Sequence, residues 1–276
     1  MRKFQRVSEK QRKNFGLIVL EPVQHLGRSF LGCCQGTGKL TFFALEAIFG
    51  LFHLPFYGKI FFATLLEIAF LSLPVIALTS IFAGGVIALQ SWIGFHQYHA
   101  ENALAGTVMI AVTRELGPVL TGLMVAGRVG AALAANIGAM RVTDQISALR
   151  SLAIDPIRMQ VSPRLLAGLV ALPILVMLSD ILGIFGGFAV CVGKLGFSAV
   201  PYIHSSLESL KVNDISVGLA KAAVFGFMVT LFACYYGYKC RGGAEGVARA
   251  ATATVVASSI MILITDYFLT DLLFAG

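Results

Sequence analysis

IAFLSLPVIALTSIFAGGVIALQSWIGFHQYHA, from Ile68 to Ala100, runs for 33 residues without an Asp, Glu, Lys or Arg. A helix needs only about 20 mostly apolar residues to cross the hydrocarbon of a bilayer. The run licenses a crossing and leaves its tilt open. The whole chain points the same way, with 57% hydrophobic and 13% charged residues among 276, far from the balance of a water-soluble domain.

Working outward, apolar stretches recur at about 102–134, 164–193, 217–238 and 250–274, each broken by few charges. The expectation is an all-α integral membrane protein with five transmembrane helices. Residues 40–62, LTFFALEAIFGLFHLPFYGKIFF, hold Glu46, His53, Pro55 and Lys59 among their aromatics. That mixture suits an interfacial helix along the membrane surface better than a lipid-facing span; a sixth crossing or a re-entrant hairpin is the alternative. The organisation expected is a basic arm over 1–39, the interfacial helix over 40–62 and the membrane domain over 63–276.

Basic residues are retained on the cytoplasmic side of spans. Eight of the 21 lie in the first 39 positions: Arg2, Lys3, Arg6, Lys10, Arg12, Lys13, Arg28 and Lys39. A cytoplasmic amino terminus follows, and the span count then puts Arg141, Arg150, Arg158, Arg164, Lys239, Arg241 and Arg249 inside as well. The loops counted outside, 93–101 and 194–216, carry only Lys194 and Lys211. The basic arm is read as attracted to anionic headgroups, not to nucleic acid. Its first 15 residues lack the pattern of a cleaved secretory signal, so the chain is expected to stay whole.

Two features invite a catalytic reading and fail it. Gly36-Thr37-Gly38-Lys39 looks like part of a phosphate-binding loop, but that motif needs a Gly where Cys33 stands and a hydroxyl residue where Leu40 stands. Cys33, Cys34, Cys191, Cys234 and Cys240 have no metal-type or redox spacing and read as small core residues. The histidines do not cluster as ligands, and HExxH and GxSxG are absent. No metal site and no bound cofactor are expected; ATP would be bound by another chain.

The second span reads TRELGPVLTGLMVAGRVGAALAANIGAM and places Arg114, Glu115 and Arg128 at apparent membrane depth. Ionisable groups there either serve function or snorkel to an interface. Gly117, Gly122, Gly127, Gly130, Ala131, Ala134, Ala135 and Gly138 let a neighbouring backbone approach, from this chain or from a second copy. Lys221 begins the fourth span and Asp266 lies inside the fifth. Asp266 is expected either to pair with Arg114 or Lys221 or to sit hydrated near the interface with Asp271.

Between the second and third spans lies the polar stretch MRVTDQISALRSLAIDPIRMQVSP, Met140 to Pro163. Thr143 is expected as a helix N-cap, with Asp144 in the first turn complementing the helix dipole. Asp155 before Pro156 should stop the helix by Ile154. Ile146, Leu149 and Leu152 or Ala153 recur at helical spacing, predicting an amphipathic surface helix of about three turns.

The run Arg114-Glu115-Leu116-Gly117-Pro118, then VAGRVGAALAANIGAMRVTDQISALRSLAIDPIRMQVSPRLLAG and RAATATVVASSIMILITDYFLTDLLF, resembles the MlaE/YrbE permease family, the membrane subunit of Mce-type lipid ABC transporters. The likeness extends from about residue 60 to the end. It implies that Arg141 to Ala153 is a coupling helix received by the ATPase, with Arg141, Thr143, Asp144, Gln145, Leu149 and Asp155 as its contacts. It also implies that Tyr98, Glu101, Arg114, Glu115, Lys221 and Asp266 lie near an outward lipid cavity or its charged support. The sequence departs from the family at Asn136, where Glu is usual, and has Ser147 where Asp or Ser occurs.

The implied assembly is a permease homodimer, two ABC ATPase subunits, an Mce-domain (MlaD-like) protein outside and often a STAS-domain protein inside, in a bacterial inner membrane. The implied cargo is phospholipid or a related lipid, moved to or from a periplasmic conduit in support of outer-membrane asymmetry. An ion-coupled secondary carrier using Glu115 or Asp266 as a proton relay is the alternative; a membrane enzyme is the weakest reading.

Overall fold

The computed structural model describes residue 31 and residues 34–51, 57–98 and 103–274. Two compact units divide at Glu46 and Ala47. Residues 34–46 of the first are helical, and the second opens with helical residues 47–51. The stretch read as one interfacial helix over 40–62 is helical through residue 51, and a separate helix starts at Gly58 after the non-helical Tyr57. Between them, residues 52–56 lie outside the described residues.

From there seven helices follow in order: α1 Gly58–Gln97, α2 Leu104–Val142, α3 Gln145–Ser151, α4 Ile157–Gly193, α5 Ala199–Ser209, α6 Val212–Tyr238 and α7 Gly243–Phe274. Among them α1, α2, α4, α6 and α7 are long and apolar enough to cross a membrane. The described residues contain no strand. The protein is an all-α, multi-pass membrane protein.

These helices exceed the apolar runs that announced them. The 40 residues of α1 span about 60 Å against about 30 Å of hydrocarbon, so the helix projects well beyond it. Pro74 and Pro173 lie inside α1 and α4. In lipid such prolines are tolerated because neighbouring helices can satisfy the freed backbone.

Small residues bring the backbones together. Ser80 and Ser179 share a hydrogen bond of 2.8 Å between α1 and α4. One turn further along, a side chain on Gly84 would collide with the carbonyl of Gly183, and one on Gly186 with that of Ile81. The α4 and α6 backbones meet the same way at Gly168 and Gly226. This is the close approach that drives helix association in lipid. Around it lies a core including Ile68, Leu172, Phe225, Val229 and Ile262. Large apolar side chains such as Phe70, Phe82, Ile181, Phe185 and Leu263 face outward.

The glycines of α2 pack within the chain. Gly117 lies against Asp180 of α4, Gly122 against Phe225 and Ile262, Gly130 against Val229 and Thr254, and Gly138 against Cys240 and Val247. Gly127 has open space beside it, next to the exposed Arg128. Two stretches of α2, Val112–Leu116 and Ala126–Gly130, are π-helical. An inserted residue of this kind re-aims the side chains around it and often marks a functional segment.

The polar loop differs from its sequence reading. Thr143 is not the N-cap of α3 but the C-cap of α2, its hydroxyl donating to the carbonyl of Ala139 at 2.9 Å. Asp144 is the residue before α3, in a left-handed conformation at φ 55° and without a side-chain capping bond. α3 has seven residues, about two turns. It ends at Ser151, before Asp155 is reached, and Ala153 is again left-handed at φ 57°. Asp155 instead begins the next helix, its Oδ1 accepting from the Ile157 amide at 2.9 Å. Two non-glycine residues at positive φ therefore bracket α3, at a backbone cost of roughly 1–2 kcal/mol each.

Candidate functional site

Five ionisable side chains converge on the end of the bundle that carries α5. Lys221 lies nine residues past Val212, about 14 Å along the axis of α6, and is 0% exposed. A buried ammonium needs compensation. Its Nζ donates to Glu115 Oε1 and Oε2, each at 2.9 Å, to Thr270 Oγ1 at 2.7 Å and to the main-chain carbonyl of Arg114 at 3.2 Å. Asp266 Oδ1 is a further 3.0 Å ion contact, close but without an aligned hydrogen bond. An ammonium has three protons, so these acceptors surround it beyond its donor capacity.

The carbonyl of Arg114 is available for a local reason. In an α-helix it would accept from the amide of residue 118, and Pro118 has none. The Gly117 amide bonds back to Val112 in the π turn. Pro118 removes the ordinary α-helical donor of that carbonyl, and the lysine on α6 donates to it.

Arg114 meets a partner the sequence reading missed. Its Nε and Nη2 donate to Oδ1 of Asp214 at 2.9 and 2.6 Å. Asp214 also accepts from the Lys211 amide through Oδ2 at 3.2 Å, closing the first turn of α6. An acid three residues past Lys211 is a first-turn signal the sequence carries. Thr270 was missed too; it stands one turn beyond Asp266, and its hydroxyl donates to the Asp266 carbonyl at 2.8 Å.

The cluster is asymmetric in exposure. Lys221 is enclosed, while Arg114 is 31% and Glu115 39% exposed. Three carboxylates face two cations. The outward surface is thus a guanidinium beside a carboxylate, held from behind by Asp214 and Lys221. Of the other sequence-derived residues, Tyr98 follows the last residue of α1, 81% exposed and apart from this cluster, and Glu101 lies outside the described residues.

On another side of α2 is an apolar groove of about 270 Å³, lined by Met109, Ile181, Phe185, Phe188, Tyr202 and Leu207. α5 forms one wall of it: Tyr202 and Ser206 are buried at its base, while Ile203 and Leu207 line it and remain exposed. Burial pushes the Tyr202 phenol above its ordinary range, and Cys191 beside it adds to the effect. Among the described residues no group of three or more His, Cys, Asp or Glu could hold a metal.

At the opposite end α3 is tethered to the last turn of α6. Arg150 Nη2 donates to the Tyr238 hydroxyl at 2.5 Å, and the guanidiniums of Arg141 and Arg150 lie 5.8 and 5.9 Å from its ring centre. Ile146 is buried and Leu149 half-buried, while Leu152 is 70% exposed. Asp144 and Gln145 are exposed. α3 therefore presents a polar surface with one apolar knob, mounted on a helix that reaches back to Lys221.

The family profile described as Permease MlaE matches residues 61–272. A probable ABC transporter permease protein of Rickettsia bellii is 45% identical over 257 residues, covering 93% of this chain and 99% of the relative. The intermembrane phospholipid transport system permease protein MlaE of Haemophilus influenzae is 33% identical over 260 residues, 94% and 100% of the two chains. The chloroplastic protein trigalactosyldiacylglycerol 1 of Arabidopsis thaliana is 35% identical over 205 residues, covering 74% of this chain and 59% of its own length. With five crossing helices and a family match over nearly all of them, this chain belongs to the MlaE permease family.

Proposed function

We propose that this chain is the membrane subunit of an ABC transporter that moves phospholipid between a bacterial inner membrane and a periplasmic Mce-protein conduit. The observation that carries the cargo is the half-exposed Arg114–Glu115 pair at membrane depth, braced by buried Lys221 and Asp214. Arginine suits phosphate by its forked donors, and an adjacent carboxylate suits the amine of a zwitterionic headgroup. Lys221 is enclosed, so the phosphate contact falls to Arg114 and the lysine holds the pair in place. The name of the Haemophilus relative supports phospholipid as the cargo.

α3 is the coupling helix, seated on a separate ATPase through Asp144, Gln145 and Leu152. A push on α3 reaches Tyr238 through Arg150 and passes along α6 toward Lys221. Two copies of the chain form the transporter, with the exposed Arg128 and Gly127 on the face between them. An Mce-domain protein outside and a STAS-domain protein inside complete the assembly, and the amino terminus faces the cytoplasm. The chain itself hydrolyses nothing.

The test is reconstitution in lipid vesicles with the co-purified ATPase. ATP-dependent movement of a labelled zwitterionic phospholipid, lost in Arg114→Ala, is the expected result. Lipid movement by the purified chain alone, driven by a pH gradient, would overturn the reading.

A further inference from the structure

Asp180 is a carboxylate that the site above does not use. It stands two-thirds of the way along α4, in an apolar run from Leu165 to Gly193 that holds no other charge. Its Oδ1 has no accessible surface and no hydrogen-bond partner. The atom occupies the space that a side chain on Gly117 would fill. Gly117 is the residue that closes the π turn carrying Arg114 and Glu115.

The surroundings offer no compensating charge. α1 presents Ser80, Ala83 and Gly84 at this level; α2 presents Val112, Leu116, Gly117 and Leu120. The nearby charges of α2 turn to α6 instead, where Arg114 bonds Asp214, and Glu115 and Asp266 surround Lys221. α5 brings Tyr202, next to Cys191. Beside Gly117 is a gap of about 10 Å³ between the Ser80–Ser179 pair and Leu116, enough for about one water. Asp180 as a whole is half-buried, but a charge shared onto its enclosed, unpartnered Oδ1 is costly in hydrocarbon, whereas a neutral acid fits.

We propose that Asp180 binds a proton and is a positioning residue for the π turn of α2. Neutral, it lies against Gly117 and keeps α2 seated on α4, with Arg114 and Glu115 aimed at α6. Ionised, it needs water, and α2 must draw away from α4 to admit it. Loss of the proton therefore loosens the headgroup pair. The consequence for transport rests on the lipid-permease reading; the proton site does not.

Dicyclohexylcarbodiimide separates the two. It adds whole to a protonated carboxyl: the acid oxygen bonds the central carbon, the proton passes to a nitrogen, and an acyl shift leaves an N-acylurea with no leaving group. The full-length chain in phosphatidylcholine vesicles is treated across a pH series and its peptides are weighed. Expected is an adduct at Asp180 that declines toward alkaline pH and is absent from that peptide in Asp180→Asn, which has no carboxyl to react. In the complex with its ATPase, lipid-stimulated ATP hydrolysis should fall on the alkaline side in the natural chain, and that limb should flatten in Asp180→Asn. No adduct at Asp180 at any pH, or yields independent of pH, would overturn the proton site. An unchanged alkaline limb in Asp180→Asn would overturn the positioning role. Labelling without any lipid transport would sink the permease reading and leave the proton site standing.

Discussion

Lys221 Nζ donates to the main-chain carbonyl of Arg114 at 3.2 Å, the carbonyl whose helical donor is missing because residue 118 is proline. A side chain on α6 thus completes the backbone of α2. The ion pairs with Glu115 and Asp266 are built around that repair.

Removing the lysine leaves Glu115, Asp266 and the Arg114 carbonyl facing one another. Lys221→Met should lower the stability of the subunit by about 3–5 kcal/mol, the usual consequence of stranding one side of a buried pair. Adding Asp266→Asn and Glu115→Gln should recover part of the loss. A simple exchange, Lys221→Asp with Asp266→Lys, should not restore stability, because the lysine serves two carboxylates and a carbonyl. Thermal unfolding in detergent reads all three.

The Arg114–Asp214 contact joins α2 to the first turn of α6. Asp214 is 1% exposed, so Arg114→Ala leaves a buried carboxylate unpaired and should destabilise more than Asp214→Asn, which keeps an oxygen for the Lys211 amide. Arg114→Lys should retain much of the stability yet lose headgroup affinity, since one ammonium cannot reproduce the forked donors. Unfolding midpoints together with lipid binding by the purified complex decide it.

Gly84 and Gly183 set the spacing of α1 and α4. Gly84→Val places a branched side chain on the Gly183 carbonyl, and nothing on that backbone can yield. The expected outcome is loss of folded protein, seen as aggregation on size exclusion, whereas Gly94→Ala, with open space around it, should elute as the natural chain does.

On α3, Asp144→Lys and Leu152→Glu should leave the subunit inserted in the membrane and lower lipid-stimulated ATP hydrolysis by reducing capture of the ATPase. Tyr238→Phe removes the hydroxyl bound by Arg150 and should lower the same activity while the ATPase still binds. Ala153→Gly relieves a left-handed alanine and should be neutral or stabilising by about 1 kcal/mol. Unchanged coupled turnover in Asp144→Lys and Leu152→Glu would remove α3 from the docking surface.

Membrane residence and the number of crossings were legible in the chain because hydrocarbon imposes a length and a composition on any crossing helix. Arg114, Glu115, Lys221 and Asp266 also stood out in the chain as charges within apolar runs, and the structure brings these four together. Asp180 was equally visible as a lone acid in an apolar run and was passed over. The caps of α3 were misread because Thr143 and Asp144 are both good capping residues, and only the path of the backbone between α2 and α3 selects a left-handed Asp144.

Which charge meets which lay beyond the sequence. Five ionisable residues drawn from positions 114 to 266 allow many pairings, and spacing along the chain ranks none of them. The tertiary structure decided it through a proline that leaves a carbonyl of α2 for Lys221, and through glycines that let α4 and α6 close on it. The sequence states which groups must be compensated, because burial in lipid is costly for each one alone. The packing of helices far apart in the chain states by whom.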